Sequence, residues 1–416
     1  DPGNAGETEQ WYGDAVSFAD TIQVPGAWEA QGFGEATDKL RHHFIGKGWY
    51  KRRVEIPADW AGRRVFLCIG GVHRYASVWV NGTAFGEHIG CLSPFDYDIT
   101  DCAPPGTEAL VVVRADSEQR WDIDTMIGAW DIIDYMDTYW GGIWGHVTLE
   151  ARNTVYLEDL YVEPFVTPAR CRASVVVKGT PPEDAALRLE ILDQAGVVVG
   201  TAEAAPVVSL KPLEVEVPDA KLWTPDTPHL YRARMSLVQG DTILDAMETR
   251  FGFREIAIEG VRILLNGKPL FLRGYGDDAI YPETMAAPSD EAVYRKKIEI
   301  AKAYGFNHVR HHSHFLPPEY YDVCDELGML VSPELPIGYQ QFYNKAQGPA
   351  LELYKTEWAA AIRRFRNHPS ILDWCMGNEM YESVPIAPEL YRIANELDGT
   401  RPVVDTDGLP TTGYIE

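Results

Sequence analysis

Apolar positions along the chain follow two rhythms, and the change between them comes near residue 254. Before it, short runs of β-forming residues alternate with turn signals. Arg64-Val-Phe-Leu-Cys-Ile69 and Ala76-Ser-Val-Trp-Val80 predict strands, and Asn81-Gly82 directly after the second predicts a tight hairpin turn. Leu110–Val113 and His146–Leu149 predict two more strands. No 3.6-residue period interrupts residues 1–152, so this stretch reads as an all-β sandwich. From 153 to 254 the strands shorten: Leu187, Leu189 and Ile191 alternate, as do Leu213, Val215 and Val217, with Pro181-Pro182, Pro225 and Pro228 as punctuation. About a hundred residues of this spacing predict an immunoglobulin-like sandwich.

After Phe251-Gly252-Phe253, short strands alternate with helices, the pattern of βα units around a parallel sheet. Leu270–Leu272 predicts the first strand. A helix capped by Ser289 follows, carrying Val293, Ile300, Ala301 and Tyr304 and closed by Gly305. Phe306–Arg310 is the second predicted strand. Tyr320, Val323, Cys324 and Leu327 then share one helical face that ends at Gly328. Met329–Val331 is the third strand, and a longer helix carries Leu351, Tyr354, Trp358, Ile362 and Phe365. Ile371–Trp374 is the fourth strand, Leu390–Leu397 a helix, and Val403-Val404 the fifth strand. Residues 255–416 therefore predict part of a barrel, since eight βα units need about 250 residues.

Composition narrows the function classes. With 37 basic and 62 acidic residues the formal net charge is -25, which repels phosphate backbones and anionic bilayers. Neither nucleic acid nor a membrane is expected as a partner; self-association into a homo-oligomer is compatible with the sequence. Six cysteines show no C-x-x-C pair and read as buried thiols. Nine of twelve tryptophans precede residue 150 and read as sandwich core more readily than as sugar platforms.

In a βα barrel the working residues follow the strands. Those positions hold Arg273-Gly-Tyr-Gly-Asp-Asp278, Arg310-His-His-Ser-His314, Ser332-Pro-Glu334, Gly377-Asn-Glu379 and Asp405-Thr-Asp407. Carboxylates with guanidinium and imidazole neighbours suit proton transfer and hydroxyl recognition. The histidines have neither helical nor C-x-x-C ligand spacing, so no metal and no cofactor is expected.

Asn367-His-Pro-Ser370, a hydrophobic strand with Trp374, and then Gly377-Asn378-Glu379 resemble the acid/base signature of glycoside hydrolase family 2. That is the family of β-galactosidases, β-glucuronidases and β-mannosidases. The resemblance spans the chain. Val24-Pro-Gly-Ala-Trp28, Val80-Asn-Gly82, Ser93-Pro-Phe95 and Gly141-Gly-Ile-Trp144 resemble its jelly-roll domain. Leu222-Trp-Thr-Pro225 resembles its immunoglobulin-like domain, and Phe251-Gly-Phe-Arg254 with Leu272-Arg-Gly274 its entry into the barrel.

The resemblance implies a carbohydrate substrate and a retaining mechanism. Glu379 would be the acid/base and Asn378 the partner of the sugar 2-hydroxyl. Arg310 would orient carboxylates. The run to His314 is one residue longer than the family's Arg-x-Ser-His, leaving open whether His312 or His314 takes the family position. Asp277 and Asp278 stand where the family often has Asn-Arg-His, which implies a different sugar subsite. Glu334 reads equally as pocket wall or as a paired loop carboxylate. Only 37 residues follow Glu379, while the family's nucleophile would lie about 90 residues on at roughly 30 residues per βα unit. The chain is thus expected to be a fragment whose nucleophile lies beyond residue 416. A non-catalytic carbohydrate-binding or scaffold protein of the same fold is the alternative.

Overall fold

Strand alternation in the first region buries Val65, Leu67 and Ile69 of one sheet against Val78, Val80, Val111 and Val113 of another. The first sheet orders strands Val147–Arg152, Arg64–Ile69 and Phe95–Asp98; the second orders Lys47–Glu55, Glu108–Asp116, Tyr75–Val80 and Thr83–Ile89. The result is a jelly-roll β-sandwich. Asn81 and Gly82 turn between two of these strands with φ of 49° and 79°, the pair of left-handed residues a two-residue hairpin needs. This computed structural model describes residues 1, 3–37, 42–128, 140–204, 211–337, 347–380 and 386–406; Trp130 and Asp407 lie outside them. Trp28, Trp140 and Trp144 are buried, as the core reading expects, whereas Trp121 is 46% exposed.

The second region is an immunoglobulin-like sandwich. Strands Tyr156–Val166, Ala169–Lys178 and Leu213–Glu216 face a sheet of Val198–Ala204, Ala186–Leu192, Tyr231–Gln239 and Thr242–Phe251. Leu187, Leu189, Ile191, Leu213 and Val215 all point into its core, matching their alternation in the sequence.

The third region is a run of βα units in chain order: β1 (Gly274–Asp277), α1 (Glu291–Ala303), β2 (His308–His311), α2 (Pro318–Leu327) and β3 (Leu330–Ser332). Then come α3 (Pro349–Phe365), β4 (Trp374–Cys375), α4 (Ala387–Leu397) and β5 (Val403–Val404). β1, β2 and β3 pair in parallel, bridges Val331–Ile371 and Glu334–Cys375 carry the order on to β4, and β4 pairs in parallel with β5. This is the beginning of a TIM barrel. Among the described residues no helix is long and apolar enough to cross a membrane, and all six cysteines are free thiols.

Three local expectations need correction. Leu270–Leu272 is not the first barrel strand: Leu270 and Leu272 pack on the cluster of Trp223, Ile256 and Leu265. The glycine-rich stretch after them forms β1, because pairing with β2 overrides its poor strand propensity. Ser289 is not the cap of α1; the Asp290 carboxylate accepts the Ala292 N–H at 2.9 Å. The apolar set chosen for α1 also lies partly outside, with Ile300 at 50% and Tyr304 at 81% exposure, while Tyr294 and Ile298 are buried.

Polar groups dock the units onto one another. The Glu357 carboxylate of α3 is fully buried, accepts the Leu92 N–H at 2.6 Å and takes a short hydrogen bond from Ser93 of the jelly roll. The Asn367 side chain accepts from Val162 N–H at 3.0 Å and donates to the Leu160 carbonyl at 2.7 Å, clasping the immunoglobulin-like sheet. Asp398 accepts from Tyr161 Oη and Trp374 Nε1, both at 2.8 Å.

Removing Glu357 would leave the buried Leu92 N–H without its acceptor and the Ser93 hydroxyl with only His88 Nε2 at 3.1 Å. Glu357→Ala is expected to cost about 3 kcal/mol in urea unfolding, against under about 0.5 kcal/mol for the neighbouring exposed Thr356→Ala. Equal losses in the two variants would show that this carboxylate does not hold the domains.

Candidate active site

Because side chains alternate along a strand, His308 and Arg310 share one face of β2 while Val309 and His311 share the other. The first face is polar and layered. In the lower layer, His308 Nε2 meets Ser332 Oγ at 2.9 Å, and Ser332 donates to Asp373 Oδ2 at 2.8 Å. One layer towards the C-terminal ends, Arg310 grips Glu334 through Nε (3.1 Å to Oε1) and Nη2 (2.9 and 3.2 Å to the two oxygens). The Ser313 N–H donates to Glu334 Oε2 at 2.6 Å, and Cys375 Sγ lies 3.4 Å from Oε1. Burial pushes the Glu334 carboxyl above its ordinary range, while the Arg310 charge and the Ser313 N–H pull against that.

Arg310 also reaches beyond Glu334. Its Nη2 donates to Asn378 Oδ1 at 2.5 Å, so one guanidinium ties β2, the loop after β3 and the loop after β4 together. A guanidinium only donates, which makes the carbonyl end of the amide face Arg310 and turns Nδ2 to the other side. The Asn378 N–H is held by the Ile337 carbonyl at 2.8 Å. Glu379 follows, exposed and with φ of 49°, a left-handed conformation that is uncommon for non-glycine residues.

Asp278 and His312 are partly exposed and face each other at 3.9 Å. Of the two histidines the resemblance left open, His312 is therefore the one near the open rim. His314 is fully buried.

Asp277 and His314, expected in the sugar pocket, lie on the opposite face of the strands. Asp277 pairs with His311 across the parallel ladder, and strand neighbours in register point the same way. Asp277 is buried against helix α1, where Lys297 Nζ sits 2.5 Å from its Oδ2. Burial alone would raise its pKa, but Lys297, His314 and His311 together bring it down to about 2. Burial also lowers His314 to about 4 and His311 well below its ordinary value, leaving both rings neutral. Arg273 opens β1 from its N-terminal side, exposed, and bonds the Gly305 carbonyl at 2.6 Å.

Residue-by-residue reading missed His308 and Asp373, whose signal was the i, i+2 spacing of polar residues within otherwise apolar strands. A second polar group, Asp322, Asp325 and His368, could also hold an ion by spacing. There, however, Asp325 is already engaged by His368 at 2.7 Å and by the Ser370 N–H at 3.0 Å.

Comparisons with known proteins agree along the chain. The profile of the family 2 glycosyl hydrolase sugar binding domain matches residues 1–152, that of the central family 2 domain 155–254, and that of the family 2 TIM barrel domain 256–412. A β-galactosidase of Thermoanaerobacter pseudethanolicus is 29% identical over 401 residues, covering 90% of this chain and 51% of that protein. A β-glucuronidase of Paenibacillus borealis is 27% identical over 434 residues, covering 97% and 70%. The chain thus spans about half the length of the first relative and more of the second. Among solved structures, a β-glucuronidase from Ruminococcus gnavus superposes with a TM-score of 0.83 at 24% identity, over 97% of this chain and 70% of that one. A family 2 member from Bacteroides cellulosilyticus gives 0.77 at 26%, over 94% and 54%.

Two outcomes follow from the two faces. Glu334→Ala would leave the Arg310 charge without its counter-charge and the Ser313 N–H without its acceptor, and is expected to cost about 3 kcal/mol of stability. Glu334→Gln, which keeps the shape and an acceptor oxygen, should cost less than half of that by denaturant unfolding; equal costs would mean that the charge alone, and not the acceptor oxygen or the shape, carries the effect. Asp277 has a folded pKa of about 2 against 3.8 unfolded. Its pairing therefore contributes stability that is complete above about pH 4 and lost as pH falls towards 2, about 2 kcal/mol in all. Lys297→Met should flatten that acid limb, and an unchanged limb would remove Lys297 as its cause.

Proposed function

Since the chain belongs to glycoside hydrolase family 2, we propose that it carries the acid/base half of a retaining β-glycoside hydrolase active site, with Glu379 as the acid/base. The observation that supports this most is the Arg310 bridge between Glu334 and Asn378, which holds the Asn378-Glu379 pair at the C-terminal end of β4. In a βα barrel that end is where catalysis occurs.

The chemistry follows from these positions. The oriented Asn378 amide presents Nδ2 as the donor for the sugar 2-hydroxyl, a contact that strengthens as the ring gains oxocarbenium character. Glu379 protonates the departing glycosidic oxygen and afterwards removes a proton from the attacking water. Arg310 acts through both neighbours: it fixes the amide, and its charge is already balanced by Glu334, so it does not draw the Glu379 carboxylate away from substrate. A second carboxylate about 5 Å from Glu379 is needed as nucleophile. In this proposal it is supplied from outside residues 1–416, and the substrate is a terminal β-linked sugar of an oligo- or polysaccharide. β-Galactosides and β-glucuronides are the first compounds to try, because they are the substrates named for the relatives.

The test uses a protein containing this chain together with the remainder of the barrel. Glu379→Ala should lower kcat/KM on poor leaving groups by a factor on the order of 1,000, with a far smaller effect on glycosylation by activated aryl glycosides. Azide should restore turnover and yield a β-glycosyl azide, because azide needs no general base. An α-azide, or loss of glycosylation with activated substrates, would make Glu379 the nucleophile and overturn the assignment.

A further inference from the structure

Behind the Arg310 layer, Asp277, His311 and His314 converge between the strands and helices α1 and α2. Asp277 is 7% exposed and the two histidines are fully buried, and one ligand atom from each residue lies within 4.8 Å of the other two. The convergence comes from the backbone. Register places Asp277 beside His311, and Ser313, with φ of 52°, turns the chain so that the His314 ring stacks on His311 at 4.7 Å and 13°.

The histidines are also prepared in their protonation. His314 Nδ1 lies 2.9 Å from the His312 carbonyl, which can only accept. Nδ1 therefore carries the hydrogen and Nε2 keeps its lone pair, the tautomer that a backbone carbonyl sets in metal-ligating histidines. Among the described residues neither ring nitrogen of His311 has a hydrogen-bond partner. A buried polar group without one is costly, so this imidazole calls for a ligand.

We propose that Asp277, His311 and His314 form a mononuclear site for a divalent transition-metal ion of the zinc type. Two imidazoles and one carboxylate are a donor set that zinc accepts, whereas magnesium and calcium favour oxygen throughout. A tetrahedral shell with bonds of about 2.0–2.1 Å would draw the three donor atoms, now within 4.8 Å of one another, to about 3.3 Å apart. Asp277 Oδ1 already accepts the Ala279 N–H at 3.1 Å, and Lys297 holds Oδ2 from the helix side, so the ion shares Oδ1 with that N–H or competes with the ammonium for Oδ2. The ammonium sets how tightly the ion binds. Histidine spacing alone hides this site, because the third donor comes from the neighbouring strand.

The test titrates the whole chain, freed of metal by a chelator, with Zn²⁺ alone by calorimetry and with Co²⁺ alone by visible absorption. One equivalent of Zn²⁺ is expected, with Co²⁺ bands of a low-symmetry nitrogen and oxygen shell. His311→Phe and Asp277→Asn should each weaken Zn²⁺ binding at least about 30-fold with the circular dichroism spectrum unchanged. Lys297→Met should tighten it about 10-fold by removing the competing charge. That variant needs no loss of function to be informative. Failure of the wild-type chain to bind Zn²⁺, or binding that is unaltered in His311→Phe, overturns the proposal and makes the cluster a buried hydrated polar group. A Lys297→Met chain that binds no more tightly than wild type overturns it as well, since Asp277 is then not a donor.

Discussion

Arg310 and Glu334 form an ion pair that three strands depend on, with the carboxylate fully buried and the guanidinium partly exposed. Taking the carboxylate out of water is costly, and such a pair persists only when its remaining donors and acceptors are met. Here they are met by groups that belong to different βα units: the Ser313 N–H after β2 and the Asn378 amide after β4. Satisfying the ion pair therefore specifies how the loops at the C-terminal end sit relative to one another. The left-handed turn at Glu379 follows directly on the Asn378 that Arg310 holds. An apolar substitution at these positions would fill the space but would not orient an amide.

Strand alternation divides the titratable residues of the barrel into two populations that a linear list of strand ends merges. One contains His308, Ser332, Asp373, Arg310, Glu334 and Asn378, linked by hydrogen bonds from strand to strand. The other contains Asp277, His311, His314 and Lys297, packed under the helices. In the second, Lys297 balances Asp277; in the first, Arg310 faces Glu334, and Asp373 is held by Ser332. The two adjoin through the backbone of residues 310–314, whose Ser313 N–H serves Glu334 while the ring of His314 turns the other way.

The Asn367-His-Pro-Ser370 motif has a physical role distinct from catalysis. Asn367 satisfies backbone groups of the immunoglobulin-like sheet, and His368 and the Ser370 N–H share Asp325 of α2. Arg254, fully buried, donates to the carbonyls of Pro369 and Ile371 in the same stretch. The segment leading to the Asn378-Glu379 pair is thus anchored to the middle domain and to α2 before it enters β4. Burying so many polar groups at a domain junction favours one mutual arrangement, because any slip would leave several of them without partners. Glu357 does the same for the jelly roll on the other side.

Much of this was legible in the residues themselves. Alternation of Leu187, Leu189 and Ile191, the Asn81-Gly82 turn, and the helical faces of α2 and α3 are local properties set by periods of 2 and 3.6 residues, and they survive packing unchanged. The placement of Asn378-Glu379 after a buried strand was legible for the same reason. What the sequence left undetermined was everything that depends on pairing. β1 forms over glycines because β2 supplies its hydrogen bonds, α1 turns Tyr294 and not Tyr304 inward, and Asp277 faces helix α1 because its register with His311 says so. A one-residue difference in where a strand begins reverses the side to which each residue points. Only the tertiary structure settles that, since register is a relation between two strands and no single strand contains it.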